Sequence, residues 1–349
     1  MDAPVVLAID GNSLVHRAFH AHAGTNTYTR GRPSWAVRGL LMQLVSAVDR
    51  IRPAAVVVGF DDPHASERRT AWQQYKANRV DKLDTLVDQL ADAVEVIRAL
   101  GLHVVVPPGL EADDVLASTA STAAAAGART VVVTSDRDAF ALIDDTTSVL
   151  RIINGGVDAS PLMTPERLVL LLGVRPEQYR DFAALRGDPS DNLPGVRGVG
   201  PRTAAQLLTE FGTAAAAFDD LAAVAGRIGK GVARKLAAEG ARDAHALNCQ
   251  VMALRHDLDV GLDLHAGLDP HAGPGRLPVD PGPVGEVYRE HNLTWTLRDA
   301  LHVLAGVEPD APLPPRTQVW NDEPQGWRGP RRPAPLQRPE PKDAQLSLF

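Results

Sequence analysis

The chain has 349 residues, a formal net charge of −7 and one cysteine, Cys249. That length leaves room for two domains, the lone cysteine excludes a disulfide framework and a thiolate-rich zinc site, and the acidic balance argues against a uniformly basic nucleic-acid binder. No apolar run approaches the roughly 20 residues of a bilayer span, and the opening MDAPVVLAIDGNS lacks the basic and apolar regions of a secretion signal, so a cytoplasmic protein without a membrane partner is expected.

Taken in order, VVLAID is near-continuously apolar, as a strand covered on both faces is, and ends in Asp10. AAVVVGFD has the same character and carries Asp61. In ERRTAWQQYKANRVDK, helical spacing would put Arg68, Trp72, Tyr75, Lys76 and Arg79 on one face, with Arg69 beside them. Cations neutralise phosphates and flat rings stack on unpaired bases, so this face suits a nucleic acid. LDTLVDQLADAVEVIRALG has apolar positions at helical spacing and a glycine placed for a C-cap. HVVVP is a third strand, followed by GLEADDVLAS, where Glu111, Asp113 and Asp114 open an Ala-rich helix. TVVVTSD is a fourth strand with Asp136 at its end and Asp138 just beyond, and SVLRII is a fifth. Alternating strands and helices predict an α/β fold on a parallel, doubly wound sheet over residues 1–175.

From about Thr164 the pattern changes to short helices and Gly-rich turns, a second region over 176–305. LRGDPSDNLPGVRGVGPRTAAQLL supplies Asp188 and Asp191, then a glycine hairpin with Gly198 and Gly200 and a helix start at Pro201. Glycines let a backbone approach phosphate closely, and amides at a helix N-terminus bind it. Arg227, Lys230, Arg234 and Lys235 form a further basic cluster. Residues 306–349 are too Pro-rich and polar to bury a core and are expected to be a disordered tail, ending in the apolar QLSLF. His16, His20 and His22 lack supporting zinc-ligand spacing and are expected at a helix surface or substrate edge.

Ligands of open parallel sheets bind at the carboxyl ends of the strands. Asp10, Asp61 and Asp136 end strands there, and Glu111, Asp113, Asp114 and Asp138 follow at the same edge. So many carboxylates would repel one another and raise each other's pKa values unless a cation were bound. All-oxygen ligation favours Mg²⁺ or Mn²⁺, and two such ions about 3.5–4 Å apart are suited to phosphodiester hydrolysis.

DGNSLVHRAFHA, FDD, YKANR, GLEADDVLAS, TSDRDAFALI and GDPSDNLPGVRGVGPRTAAQLL together resemble, in order and spacing from Val5 to Leu304, the motifs of the bacterial 5′ nuclease (flap endonuclease) family. That family includes the 5′-nuclease domain of DNA polymerase I. The resemblance implies a PIN-like nuclease domain with a helical arch near 64–82 and a helix-hairpin-helix element, cutting DNA or RNA-primer strands from the 5′ side at flaps and junctions. It implies one metal site built chiefly from Glu111, Asp113, Asp114 and Asp136, a second from Asp138, Asp188 and Asp191, and direct or water-mediated roles for Asp10 and Asp61. Lys76 and Arg79 match arch cations that grip the scissile phosphate, and Arg17 matches a basic position near the active site. The hairpin from Gly195 to Gly200, continuing into Arg202 and Thr203, resembles one whose amides hold duplex DNA and whose carbonyls bind a monovalent cation such as K⁺. Ser135 and Arg137 replace the family's usual Gly and Lys, and Arg202 a common Lys, which touches rate and metal preference. No polymerase region follows, so a separate, monomeric nuclease is expected. The final Gln345, Leu346, Ser347, Leu348 and Phe349 resemble the consensus by which bacterial replication proteins bind the β sliding clamp. Two other readings stay open: a non-catalytic, structure-selective DNA-binding protein, and a PIN-type ribonuclease, which would need neither hairpin nor arch.

Overall fold

The computed structural model describes residues 3–310 apart from 24, 26, 80–81 and 265–272. The QLSLF motif, and the tail from 311 onward, lie outside the described residues.

β1 (Val5–Asp10) leads through α1 (Gly11–Ala21), the short ribbon β2 (Tyr28–Thr29) and β3 (Arg32–Pro33), and α2 (Trp35–Ile51) into β4 (Ala55–Gly59). α3 (Glu67–Ala71) and α4 (Asp84–Ala99) precede β5 (His103–Val105), and α5 (Ala112–Ala125) precedes β6 (Arg129–Thr134). A 3₁₀ turn at Asp138–Leu142 leads to β7 (Thr147–Arg151) and β8 (Leu162–Met163). The sheet order is β5-β4-β1-β6-β7-β8, parallel except for β8, an antiparallel edge too short to have shown in the sequence pattern. All five strands read from apolar runs are present. From β1 the chain winds outward to β4 and β5 on one side and later to β6 and β7 on the other, so the topological switch lies between β1 and β6. Asp10 pairs in register with Gly59, and Ile9 with Val133, which brings the strand ends level.

The β1 side chains alternate between the two faces of the sheet. Leu7 and Ile9 pack with Leu14 of α1, Leu41 of α2 and Ile97 of α4, while Val6 packs with Val115 of α5. Each such fully buried aliphatic side chain contributes about 1.5–3 kcal/mol relative to exposure, so the sheet edge that carries the acids is held from both faces.

After α6 (Pro165–Leu172) closes the first region, the second runs through α7 (Tyr179–Arg186), β9 (Gly187–Asp188), β10 (Leu193–Pro194), α8 (Pro201–Phe211), α9 (Ala214–Asp219), α10 (Leu221–Arg227), α11 (Lys230–Leu236) and α12 (Ala241–Val251). Its Tyr179, Phe182, Leu207 and Leu208 share one core with Ala8 of β1, Leu116 of α5 and Val132 of β6, which seats the region on one face of the sheet. α13 (Pro281–Glu290) and α14 (Thr294–Ala305), grouped by sequence with this region, return instead to the first one. Val284, Tyr288 and Leu304 join the core of α2, and the Tyr288 hydroxyl donates to the Leu41 carbonyl at 3.0 Å. Helical periodicity shows that a face is apolar but not which partner covers it. No helix among the described residues is long and apolar enough to cross a membrane.

Candidate active site

The carboxyl ends of β1, β4 and β6 and the start of α5 converge on a cleft of about 580 Å³ lined by Asp10, Asp61, Glu111, Asp113, Asp136, Asp138 and Asp191. Asp10 ends β1 and caps α1: one oxygen accepts the Ser13 amide at 2.8 Å, the other the Thr134 hydroxyl at 2.7 Å. The Thr134 hydroxyl also accepts the Asp136 amide at 3.0 Å, tying two acids to one side chain. Asp61 is clasped by Asn12, whose amide nitrogen donates to Oδ2 at 2.8 Å and whose oxygen accepts the Asp61 amide at 3.0 Å. Its Oδ1 accepts the Ala112 amide at 2.9 Å. All these donors are uncharged, so the carboxylates are oriented without being neutralised. Burial, reinforced by Asp61 and Asp136, pushes the Asp10 carboxyl up to about 7. Burial, then Asp136, Asp188 and Asp191, does the same at Asp138. Asp113 is raised well above the usual range by burial and by Asp10 and Asp136.

Glu111 and Asp114 differ from these. Asp114 is fully buried; Arg68 forks onto both its oxygens at 2.7 and 2.9 Å, and the amides of Arg255 and Glu111 donate to the same two oxygens at 3.0 and 3.1 Å. Asp114, expected as a metal ligand, thus has donors on both oxygens and is not among the residues lining the cleft. Glu111 Oε2 accepts from the Tyr75 hydroxyl at 3.0 Å, Lys76 Nζ at 3.0 Å and Arg68 at 3.2 Å. Burial pulls the Glu111 carboxyl upward, but Lys76 and Arg68 outweigh it and hold it below the usual range.

The cationic segment does not form one continuous helix. α3 stops at Ala71, Trp72 is extended, residues 73–78 run as turns, and Lys76 is left-handed at φ 57°. The result is a strap across the acids. Lys76 donates its amide to the Asp191 carbonyl at 3.0 Å, the Asn78 side chain donates to the Pro189 carbonyl at 2.7 Å, and Arg79 pairs with the Asp191 carboxylate. Tyr75 is buried against Leu193 and Val251 with the half-buried Trp72 packed beside it, so the Tyr75 ring is not free to stack on a base. Arg68 is spent on Asp114, while Arg69 is exposed. Arg17 lines the cleft and contacts Asn154 at 3.2 Å.

Asp188 opens a second recess shared with Asp136 and Asp138, its Oδ1 accepting the Ser190 amide and hydroxyl at 2.8 and 2.7 Å. The turn that carries it requires glycine. Gly187 is left-handed, a Cβ there would lie 2.2 Å from the Gly195 nitrogen, and one on Gly195 would lie 2.2 Å from the Arg186 carbonyl oxygen. Gly195 thus serves backbone packing. Gly198 and Gly200 lead into α8, whose first turn carries Arg202 and Thr203. Lys235 Nζ reaches the Gly198 carbonyl at 2.7 Å, which joins α11, with exposed Lys230 and Arg234, to the hairpin.

The family model of the 5′-3′ exonuclease N-terminal, resolvase-like domain matches residues 5–170, and that of the 5′-3′ exonuclease C-terminal SAM fold matches residues 174–271. The chain belongs to the 5′-3′ exonuclease family. It is 41% identical over 235 residues to DNA polymerase I of Mycobacterium tuberculosis, an alignment that takes in 67% of this chain but 26% of that protein. The bacteriophage T5 D15 flap endonuclease, in complex with DNA and metal ions, superposes with a TM-score of 0.58 at 18% identity, covering 71% of this chain and 88% of the other. The catalytic core of Rad2 in complex with DNA substrate gives 0.53 at 15%, covering 87% and 92%. At these identities the two structures establish the shared fold: a resolvase-like α/β domain followed by a SAM-like helical one.

Within this exonuclease fold, sequence reasoning missed Asn12, Ser13, Thr134, Lys82 and Arg180, which line the cleft or orient its acids. Asn12 and Ser13 follow Asp10 directly in DGNS, a polar cluster at a strand end that carried the signal. His16, expected at a helix surface or substrate edge, lines the cleft.

Proposed function

We propose that the chain is a divalent-metal-dependent 5′-3′ exonuclease and structure-specific 5′ flap endonuclease, hydrolysing phosphodiester bonds in replication, including RNA-primer removal, and in repair. The observation that carries this reading is the convergence of Asp10, Asp61, Asp113, Asp136 and Asp138 on one cleft at the sheet switch, beneath a strap bearing Lys76 and Arg79. The donors are all oxygen, which fits Mg²⁺ or Mn²⁺, and Mg²⁺ needs only one or two carboxylates directly because it keeps several waters. Carboxyls lifted by burial and mutual repulsion are those a cation would relieve. Glu111, Asp113 and Asp136 would hold one ion and Asp138, Asp188 and Asp191 a second, with Asp10 and Asp61 acting through water; Asp114 is left out because its oxygens are taken. Such ions supply an activated water and steady the leaving oxygen. Lys76 and Arg79, now paired with Glu111 and Asp191, would exchange a carboxylate for the scissile phosphate, with Arg17 beside them.

In this reading residues 1–175 are the catalytic part, 176–305 the DNA-binding part and 306–349 a tether; the junction of the two family models between 170 and 174 supports the first division. The hairpin amides and Arg202, Thr203, Lys230 and Arg234 hold duplex backbone, and a K⁺ ion at the hairpin would share the Gly198 carbonyl with Lys235. Gln345–Phe349 binds the β sliding clamp, and the protein acts as a cytoplasmic monomer. The test is a 5′-labelled flap incubated with and without Mg²⁺ or Mn²⁺, products sized at single-nucleotide resolution. Cleavage confined to the metal lanes, with Asp136→Ala binding the flap uncut, is expected. A wild-type flap that is bound but survives metal would make the chain a binding protein, and junction-independent cutting of single-stranded RNA would make it a ribonuclease.

A further inference from the structure

Away from the cleft, the lone cysteine meets two other ligand-type side chains between α7 and α12. His245 and Cys249 lie four residues apart on α12, so they share one face, and Asp181 of α7 stands opposite. His245 Nε2 is 3.2 Å from Asp181 Oδ1 and 3.5 Å from Cys249 Sγ, and Sγ is 3.8 Å from that same Oδ1. Among the described residues these three form the one set of His, Cys and acid donors whose ligand atoms all lie within 4.8 Å of one another.

A nucleophilic relay is excluded by the atoms in contact. In such a relay the acid engages the ring nitrogen remote from the thiol, whereas here thiol and carboxylate meet the same nitrogen. Three donors around one centre are the alternative. With metal bonds of about 2.0–2.1 Å to nitrogen and oxygen and about 2.3 Å to sulfur, a tetrahedral ion would separate N from O by about 3.3 Å and S from either by about 3.5 Å. The observed triangle matches those edges to within a few tenths of an ångström. The donors are also oriented from behind: Asp181 Oδ2 accepts the Ala214 amide at 2.8 Å, and Phe218 packs on the imidazole with ring centroids 5.6 Å apart. The Asp181 and His245 side chains keep 24% and 12% of their surface exposed, so the cluster is in contact with solvent.

We propose that Asp181, His245 and Cys249 form a second metal site, for a divalent ion of the zinc class, which mixed thiolate, imidazole and carboxylate donors prefer over the hard ions suited to the cleft. Binding releases the thiol proton and clips α12 to α7. Asn248, between the two α12 ligands, already donates to the Ala184 and Pro194 carbonyls at 2.9 and 2.7 Å. The ion therefore steadies the helices that support the Asp188–Asp191 turn.

The test uses the full chain with Co²⁺ as the spectroscopic probe. Cys249 is the only thiol, so a thiolate-to-metal charge-transfer band reports this site alone, whatever the cleft binds. The band should saturate at one equivalent, vanish in Cys249→Ser, be displaced by Zn²⁺, and need about tenfold or more Co²⁺ in His245→Ala and Asp181→Asn. Absence of the band with excess Co²⁺, or a titration unchanged in both ligand variants, would overturn the site and leave a plain histidine–aspartate contact. In the unmutated protein, Zn²⁺ but not Mg²⁺ should slow Cys249 modification by a thiol reagent about tenfold; an unchanged rate would equally overturn it.

Discussion

Asp114 and Asp136 belong to the same acidic group by sequence, yet opposite consequences are expected from neutralising them. Every acceptor position on Asp114 is filled by a donor: Arg68 and the Arg255 amide on Oδ1, Arg68 and the Glu111 amide on Oδ2. In Asp114→Asn the new NH₂ faces two donors whichever way the amide flips, and the Arg68 guanidinium, 12% exposed, loses the carboxylate it forks onto and keeps only the Glu111 contact at 3.2 Å, which it shares with Lys76. Removing one partner of a buried, hydrogen-bonded ion pair costs about 3–5 kcal/mol. Asp136→Asn instead removes a like charge that raises the pKa of Asp10, Asp113 and Asp138, and stability in chelator should stay level or rise by about 1 kcal/mol. Urea unfolding of the two variants in chelator measures the difference. At a temperature where both are folded, Asp114→Asn should keep single-turnover flap cleavage within about tenfold of wild type, as expected of a group outside the reacting centre, and Asp136→Asn should lose it. An Asp114→Asn protein as stable as wild type, or an Asp136→Asn protein destabilised as much as Asp114→Asn, would refute the division of the acids into anchor and ligand.

Lys76→Ala should lower the single-turnover rate by about 10²-fold or more while changing flap affinity much less, since its ammonium lies among the cleft acids; equal losses in a rate-and-affinity comparison would reduce it to simple backbone attraction. His16 lies in the cleft with its imidazole pushed down to about 4 from an ordinary 6.5, first by burial and then by Lys82, His20, Arg79 and Lys76. Between these values the unfolded chain binds a proton that the native one refuses, so this histidine costs stability as pH falls from 6.5 towards 4. Asp10 and Asp138, raised to about 7, act with the opposite sign, so the measurement is the difference between wild type and His16→Gln in denaturant unfolding across that window, where the variant should lose less stability on acidification. Deleting Gln345–Phe349 should abolish binding in a β-clamp titration and leave intrinsic cleavage unchanged; an unaltered titration would dismiss the motif.

The strands and the acids at their ends were legible because both are local: a β-branched run buried on two faces announces itself, and the residue after it lands at the sheet edge. The strap was not. Arg68, Trp72, Tyr75, Lys76 and Arg79 satisfy helical spacing, but Tyr75 is drawn into a core made with Leu193 and Val251, more than a hundred residues away, and the chain breaks its helix to deliver it. The return of α13 and α14 to the first region and the meeting of Asp181 with His245 are likewise contacts between distant segments, written in no local pattern. Asp61 and Asp114 show what this means for function. Each follows a short acidic or apolar signal, and each has both oxygens hydrogen-bonded. Asp61 is held by an asparagine and a backbone amide, which aim its charge without cancelling it, so it remains available to a cation. Asp114 is held by a guanidinium, and its charge is already used. Spacing places a carboxylate at the site, but a buried guanidinium forked across both oxygens takes it out of service, whereas Glu111, contacted on Oε2 alone, and Asp191 are paired with strap cations that a substrate phosphate can draw away.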